Sequence, residues 1–140
     1  MKETIHACCV AIAGRGVLIS GPSGSGKSDL ALRLIDRGAA LVSDDYTVLQ
    51  AVEDRLLACP PATIAGKIEV RAVGIVERPF ATDVRVALMI DLGRTAERMP
   101  IPGSVTLAGV AIPSIALAAL EHSAPIKVEA ALHLYGLTFH

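Results

Sequence analysis

Eight consecutive residues, Gly21-Pro22-Ser23-Gly24-Ser25-Gly26-Lys27-Ser28, set glycines, a lysine and a hydroxyl in the order GxxxxGK[ST]. These residue types match the chemistry of a nucleoside phosphate. Backbone N–H groups can surround anionic oxygens only where no side chain intrudes, and Gly21, Gly24 and Gly26 leave that room. Lys27 can reach the terminal phosphates as a point charge. The Ser28 hydroxyl suits a Mg²⁺ ion whose other ligands are phosphate oxygens, water and a carboxylate.

Two stretches compete to supply that carboxylate. Leu41-Val42-Ser43-Asp44-Asp45 ends an apolar run in paired acids, and Val86-Ala87-Leu88-Met89-Ile90-Asp91 ends a longer one in a single acid. Asp91 would make an ordinary P-loop NTPase. The pair offers more, since one acid can attend a metal while the other accepts a proton from an attacking hydroxyl. The same pair also fits a surface turn. Glu69 and Arg71, two apart, would share one face of a strand, where charged pairs are usually solvated. His6 by itself reads as an ordinary strand histidine.

The elements that must hold these residues follow from periodicity. Gly16 to Ser20 is an apolar strand, and Leu30, Ala31, Leu34 and Ile35 recur at helical spacing, so the glycine-rich loop joins strand to helix. The helix dipole then points its positive end at the phosphates. Thr4 to Ala13 reads as a strand that turns at Gly14-Arg15-Gly16 into the loop's strand, and Gly38 closes the helix. Tyr46 to Ala51 and Arg55 to Cys59 form a hairpin around Glu53-Asp54. Gly66 to Glu77 is an alternating run, Asp83 to Asp91 a buried strand, and Gly93 to Pro102 a charged loop. Strands continue from Val105 to Leu117, and Ala124 to Tyr135 is a helix ended by Gly136. Many strands with two helices predict an α/β P-loop fold with a mixed, largely antiparallel sheet, in a single domain over residues 1–140.

Composition narrows the partners. Thirteen basic and 14 acidic residues leave a net charge of −1, and two Phe, two Tyr and no Trp leave few stacking platforms, which argues against nucleic acid. Cys8, Cys9 and Cys59 have no metal-ligand spacing and read as reduced core or half-buried thiols of a cytoplasmic protein. The N-terminus lacks the charged and apolar regions of a secretory signal. Met99 to Leu120 is uncharged and long enough to span a bilayer, but its prolines and glycines predict short strands and no membrane association.

Taken together, His6, GVLISGPSGSGKS, RGAALVSDD and EVRAVGI resemble, in order and spacing, the catalytic domain of the HPr kinase/phosphorylase family. The resemblance implies an HPr kinase/phosphoenolpyruvate carboxykinase-like fold and an ATP- and Mg²⁺-dependent kinase acting on a serine of an HPr-type phosphocarrier of the phosphotransferase system. It implies phosphate binding by Lys27, Mg²⁺ ligation by Ser28 and Glu69, Asp45 as general base with Asp44 assisting at the metal, and His6 and Arg71 among the catalytic residues. Asp91 becomes structural. The family's hexamers imply a homo-oligomer. The chain resembles a short form that starts near the His strand, without the N-terminal domain of the family's long enzymes. Ala72 stands where the signature has its first glycine, and a PVRPGRN-like loop has no counterpart, which argues against the reverse, phosphorolytic reaction. The same residues would also serve a small-molecule kinase on this scaffold, or a nucleotide-binding module that signals without transfer.

Overall fold

The computed structural model describes residues 1–139, which form eleven strands and two helices. β1 (Lys2–Ile5), β2 (Ala7–Ile12) and β3 (Arg15–Ser20) lead into α1 (Lys27–Asp36). β4 (Ala40–Ser43), β5 (Thr47–Val52), β6 (Arg55–Cys59), β7 (Lys67–Val70) and β8 (Gly74–Glu77) follow. β9 (Val84–Asp91), β10 (Gly103–Leu107), β11 (Val110–Ala116) and α2 (Ala124–Tyr135) complete the chain.

The main sheet runs β1-β5-β6-β9-β3-β2-β4, with β11 and then β10 added at the C-terminal half of β9. Among the strand pairings of the described residues, β3 with β9 and β9 with β11 are parallel and the others antiparallel, and an isolated parallel bridge joins Leu41 to Phe80. The largely antiparallel character follows from short local turns. Ala13-Gly14 (φ 50° and 79°) and Ala108-Gly109 (φ 48° and 82°) are two-residue left-handed turns whose twist matches that of the strands they join.

β3 is buried along both faces, which explains its unbroken apolar run. Val17 and Ile19 point toward the helices, meeting Leu30, Leu34, Val128 and Leu132, while Leu18 points the other way, toward Leu49, Leu56 and Ile112. Adjacent Cys8 and Cys9 divide between these two faces in the same manner. α1 buries Leu30, Ala31, Leu34 and Ile35 as their spacing predicts, and ends at Gly38 (φ 111°), whose N–H bonds the Ile35 carbonyl at 3.0 Å. α2 covers the expected residues, with Pro125 in its first turn.

Two expected strands are broken. Thr4 to Ala13 divides at His6, with β1 pairing β5 and β2 pairing β3 and β4, so His6 lies in the bend between two pairings. Gly66 to Glu77 is a separate hairpin, β7–β8, turning at residues 71–73 with Ala72 at φ 67°. Arg71 therefore sits in the turn and does not share a strand face with Glu69. Met99 to Leu120 contains β10 and β11, and no helix among the described residues is long and apolar enough to cross a membrane.

Candidate active site

The glycine-rich loop connects the C-terminal end of β3 to α1. Gly26 (φ 96°) caps the helix without a side-chain hydrogen bond, which leaves the first-turn amides available to an anion. A Cβ on Gly21 would lie 2.7 Å from Ser25 Oγ and 3.0 Å from Leu92 Cβ, so the tight turn needs glycine there. Lys27 is only 7% exposed, and its Nζ donates to the carbonyls of Gly21 (2.8 Å) and Pro22 (3.1 Å). An ammonium carries three protons, so one remains for a phosphate oxygen. Ser25 Oγ is buried against Gly21 without a hydrogen-bond partner among the described residues.

The acids beyond β4 take different environments. Asp44 is nearly buried, and its carboxylate collects three donors: the Ser28 hydroxyl at 2.6 Å and the Cys8 thiol at 3.1 Å on Oδ1, and the Glu69 backbone N–H at 2.9 Å on Oδ2. Asp45 sits in a left-handed conformation (φ 67°) that turns its side chain outward. His6 Nε2 lies 2.9 Å from its Oδ1, and the His6 ring stacks on Tyr46 with centroids 5.0 Å apart. The break in the strand at His6 is what brings that ring over the end of β4.

Asp91 is closer in topology to the loop, since β9 is the parallel neighbour of β3 and Asp91 pairs with Ser20. Its oxygens, however, are taken by its own turn, Oδ1 by the Gly93 N–H and Oδ2 by Arg94 Nε, each at 2.8 Å. The carboxylate in contact with Ser28 is that of Asp44.

A cavity of about 450 Å³ opens over the loop, lined by His6, Ser23, Gly24, Gly26, Lys27, Ser28, Asp45, Glu69 and Arg71, with Asp29, Leu32 and Val70. Asp44 lies beneath it and Gly21, Pro22 and Ser25 lie outside its lining. The hairpin β7–β8 supplies Glu69 because Ile68 is fully buried among the α1 side chains and anchors the strand. A second cavity of about 590 Å³ lies alongside, lined by Asp44, Asp45, Thr63, Ile64, Lys67, Glu69, Ile75 and Glu77. The two share Asp45 and Glu69.

The donors near Ser28 are hydroxyl and carboxylate oxygens, the set that suits Mg²⁺. No cluster of three or more His, Cys, Asp or Glu side chains able to hold a metal by themselves occurs among the described residues. A phosphate-bound Mg²⁺ needs few protein ligands, and Ser28, Asp44 and Glu69 fit that role.

Cys8 and Tyr46 belong to this site, although the sequence reads Cys8 as a core or half-buried thiol and Tyr46 as the first residue of a hairpin strand. Burial first, and the neighbouring Asp44 charge second, push the Cys8 thiol up to about 12. It is therefore a neutral donor. The sequence carries no periodic signal for Cys8, because the strand breaks at His6 and the alternation of faces does not run across that bend.

The family model for the HPr Serine kinase C-terminal domain matches residues 1–98. The HPr kinase/phosphorylase of Clostridium tetani is 43% identical over 78 residues, spanning 56% of this chain and 26% of that protein. That of Geobacillus kaustophilus is 38% identical over 96 residues, 63% of this chain and 31% of the relative. The chain thus spans about a quarter to a third of the length of these curated relatives. The solved structure of the HPr(Ser) kinase/phosphatase from Coxiella burnetii superimposes with a TM-score of 0.81 and 30% identity, covering 94% of both chains.

Proposed function

This chain belongs to the HPr serine kinase C-terminal domain family, and on that footing we propose that residues 1–140 form one catalytic unit that transfers the γ-phosphoryl group of ATP to a serine of an HPr-type phosphocarrier. The observation that carries the reading is the pairing of acids: Asp44 is bonded to the loop hydroxyl of Ser28, while Asp45 faces the same cavity as Lys27, held by His6.

The loop amides and the free proton of Lys27 hold the phosphates, and the carbonyls of Gly21 and Pro22 keep Lys27 in place. Mg²⁺ held by the phosphate oxygens with Ser28 and Glu69, and Asp44 behind them, would offset the phosphate charge. The acceptor serine approaches from the second cavity, whose wall is shared at Asp45. Asp45 accepts the hydroxyl proton as the serine oxygen bonds to phosphorus and the bond to ADP breaks. In the tautomer with its proton on Nε2, His6 donates to Asp45 and fixes which oxygen faces the acceptor. Arg71, at the rim, adds positive charge where the transferred group passes.

Incubation with γ-labelled ATP, Mg²⁺ and a purified phosphocarrier tests this. Label on a carrier serine is the expected result. Label on a metabolite in a cell extract would mean a small-molecule kinase, and nucleotide binding without transfer would mean a sensor module.

A further inference from the structure

Cys8 touches both acids. It is fully buried near the start of β2, opposite Ile19 of β3 on the helix-side face, beyond the last residue of β4. Its thiol donates to Asp44 Oδ1 at 3.1 Å and accepts the backbone N–H of Asp45 at 3.4 Å; Ser28 Oγ lies 3.9 Å away. We propose, resting on the kinase reading above, that Cys8 is a positioning residue that sets the metal-side acid Asp44 and the base Asp45 relative to one another through one donated and one accepted hydrogen bond.

Each contact answers a specific need. Asp44 Oδ1 already receives the Ser28 hydroxyl, and the thiol fills its second lone pair, which stops the carboxylate from rotating and taking Ser28 with it. Asp45 occupies a left-handed conformation, which an L-residue keeps only when its surroundings hold it. The bond from its N–H to the Cys8 sulfur is such a hold. An ordinary buried cysteine, acting as a small hydrophobe, would accept valine without consequence for a neighbouring site. This one would not, because valine offers neither a donor nor an acceptor. Serine offers both.

The test compares the full chain with Cys8→Val, Cys8→Ala and Cys8→Ser. Calorimetry gives the affinity for ADP in excess Mg²⁺ and in chelator, transfer to the carrier gives kcat, and thermal melting reports folding. The Mg²⁺-dependent gain in ADP affinity should fall about tenfold in Cys8→Val and Cys8→Ala, with kcat falling at least as far. Chelated ADP affinity should stay within about twofold of the parent, and Cys8→Ser should restore the gain to within about threefold. Packing alone would shift the melting temperature without moving the Mg²⁺-dependent gain. Cys8→Ala keeps the comparison open if valine impairs folding. Retention of the gain and of kcat in both apolar variants overturns the proposal, as does a Cys8→Ser chain as impaired as Cys8→Val. A parent chain that gains ADP affinity from Mg²⁺ but labels no carrier serine overturns the kinase reading alone, and the binding series still decides Cys8. A parent that gains nothing from Mg²⁺ overturns both.

Discussion

Replacing Asp44 with alanine should destabilise the fold and loosen one particular hairpin. The carboxylate is 6% exposed and accepts from the Ser28 hydroxyl, the Cys8 thiol and the Glu69 N–H. Hydrogen bonds to a charged group contribute about 1.5–3 kcal/mol each, and the thiol contributes less as a weak donor. Relief of the buried charge returns part of this loss. The orphaned Glu69 N–H, tucked against the end of β4, adds a desolvation cost of about 1–3 kcal/mol. A net loss of about 3 kcal/mol follows. With an unfolding entropy of about 2.1 cal/mol/K per residue over 140 residues, that lowers the melting temperature by about 10 °C. The loss is local in origin, because the bond from the Glu69 N–H to Asp44 ties hairpin β7–β8 to the main sheet, to which no strand pairing joins it among the described residues. Differential scanning fluorimetry reads the first effect and amide hydrogen exchange the second, with protection falling at residues 67–77 before it falls in β3 or β9. A shift below about 3 °C, or unchanged protection at Glu69, would show that Asp44 does not hold the hairpin.

Other substitutions probe separate parts of the site. Lys27→Ala removes the cation and the two bonds that fold the loop, so ADP affinity should fall about tenfold or more by calorimetry, and transfer should fall further still. Ala72→Gly relieves a left-handed alanine in the β7–β8 turn and should raise the melting temperature by about 2–3 °C, as a stabilisation of up to about 1 kcal/mol would. Iodoacetamide at pH 8 should modify half-buried Cys59 in the native chain and spare Cys8 and Cys9, with all three reacting in denaturant when counted by mass spectrometry. The sign follows from burial pushing the Cys8 thiol up to about 12 and Cys9 higher still, which removes the nucleophilic thiolate.

The parts of the fold visible in the sequence are those fixed by neighbours in the chain. The strand, loop and helix from Val17 to Arg37 carry their own glycines, apolar spacing and cap, and the β5–β6 hairpin its own turn. The break at His6 is different: β2 pairs locally with β3, but β1 departs to pair with β5, a partner tens of residues further along the chain. The β7–β8 turn carried no Gly or Asn signal at its left-handed position, which is filled by Ala72, so the run read as one strand. The choice between Asp44 and Asp91 was open from spacing alone, because both end apolar strands; Arg94 and Gly93 occupy Asp91, while β2 brings β4 and Asp44 to Ser28. Cys8 reads as a core residue from the sequence and is fully buried, and only the fold shows that the core at that point borders the acids.

The most direct test is the rate of phosphoryl transfer to the carrier serine by Asp45→Asn, with nucleotide affinity measured on the same preparation. Asparagine keeps the side-chain shape beside His6 but cannot accept the proton. Transfer should fall by about 10²–10⁴, the usual contribution of a general base, while Mg²⁺-ADP affinity stays within about threefold. An Asp45→Asn chain that phosphorylates the serine at the parent rate would contradict the assignment of Asp45 as the base.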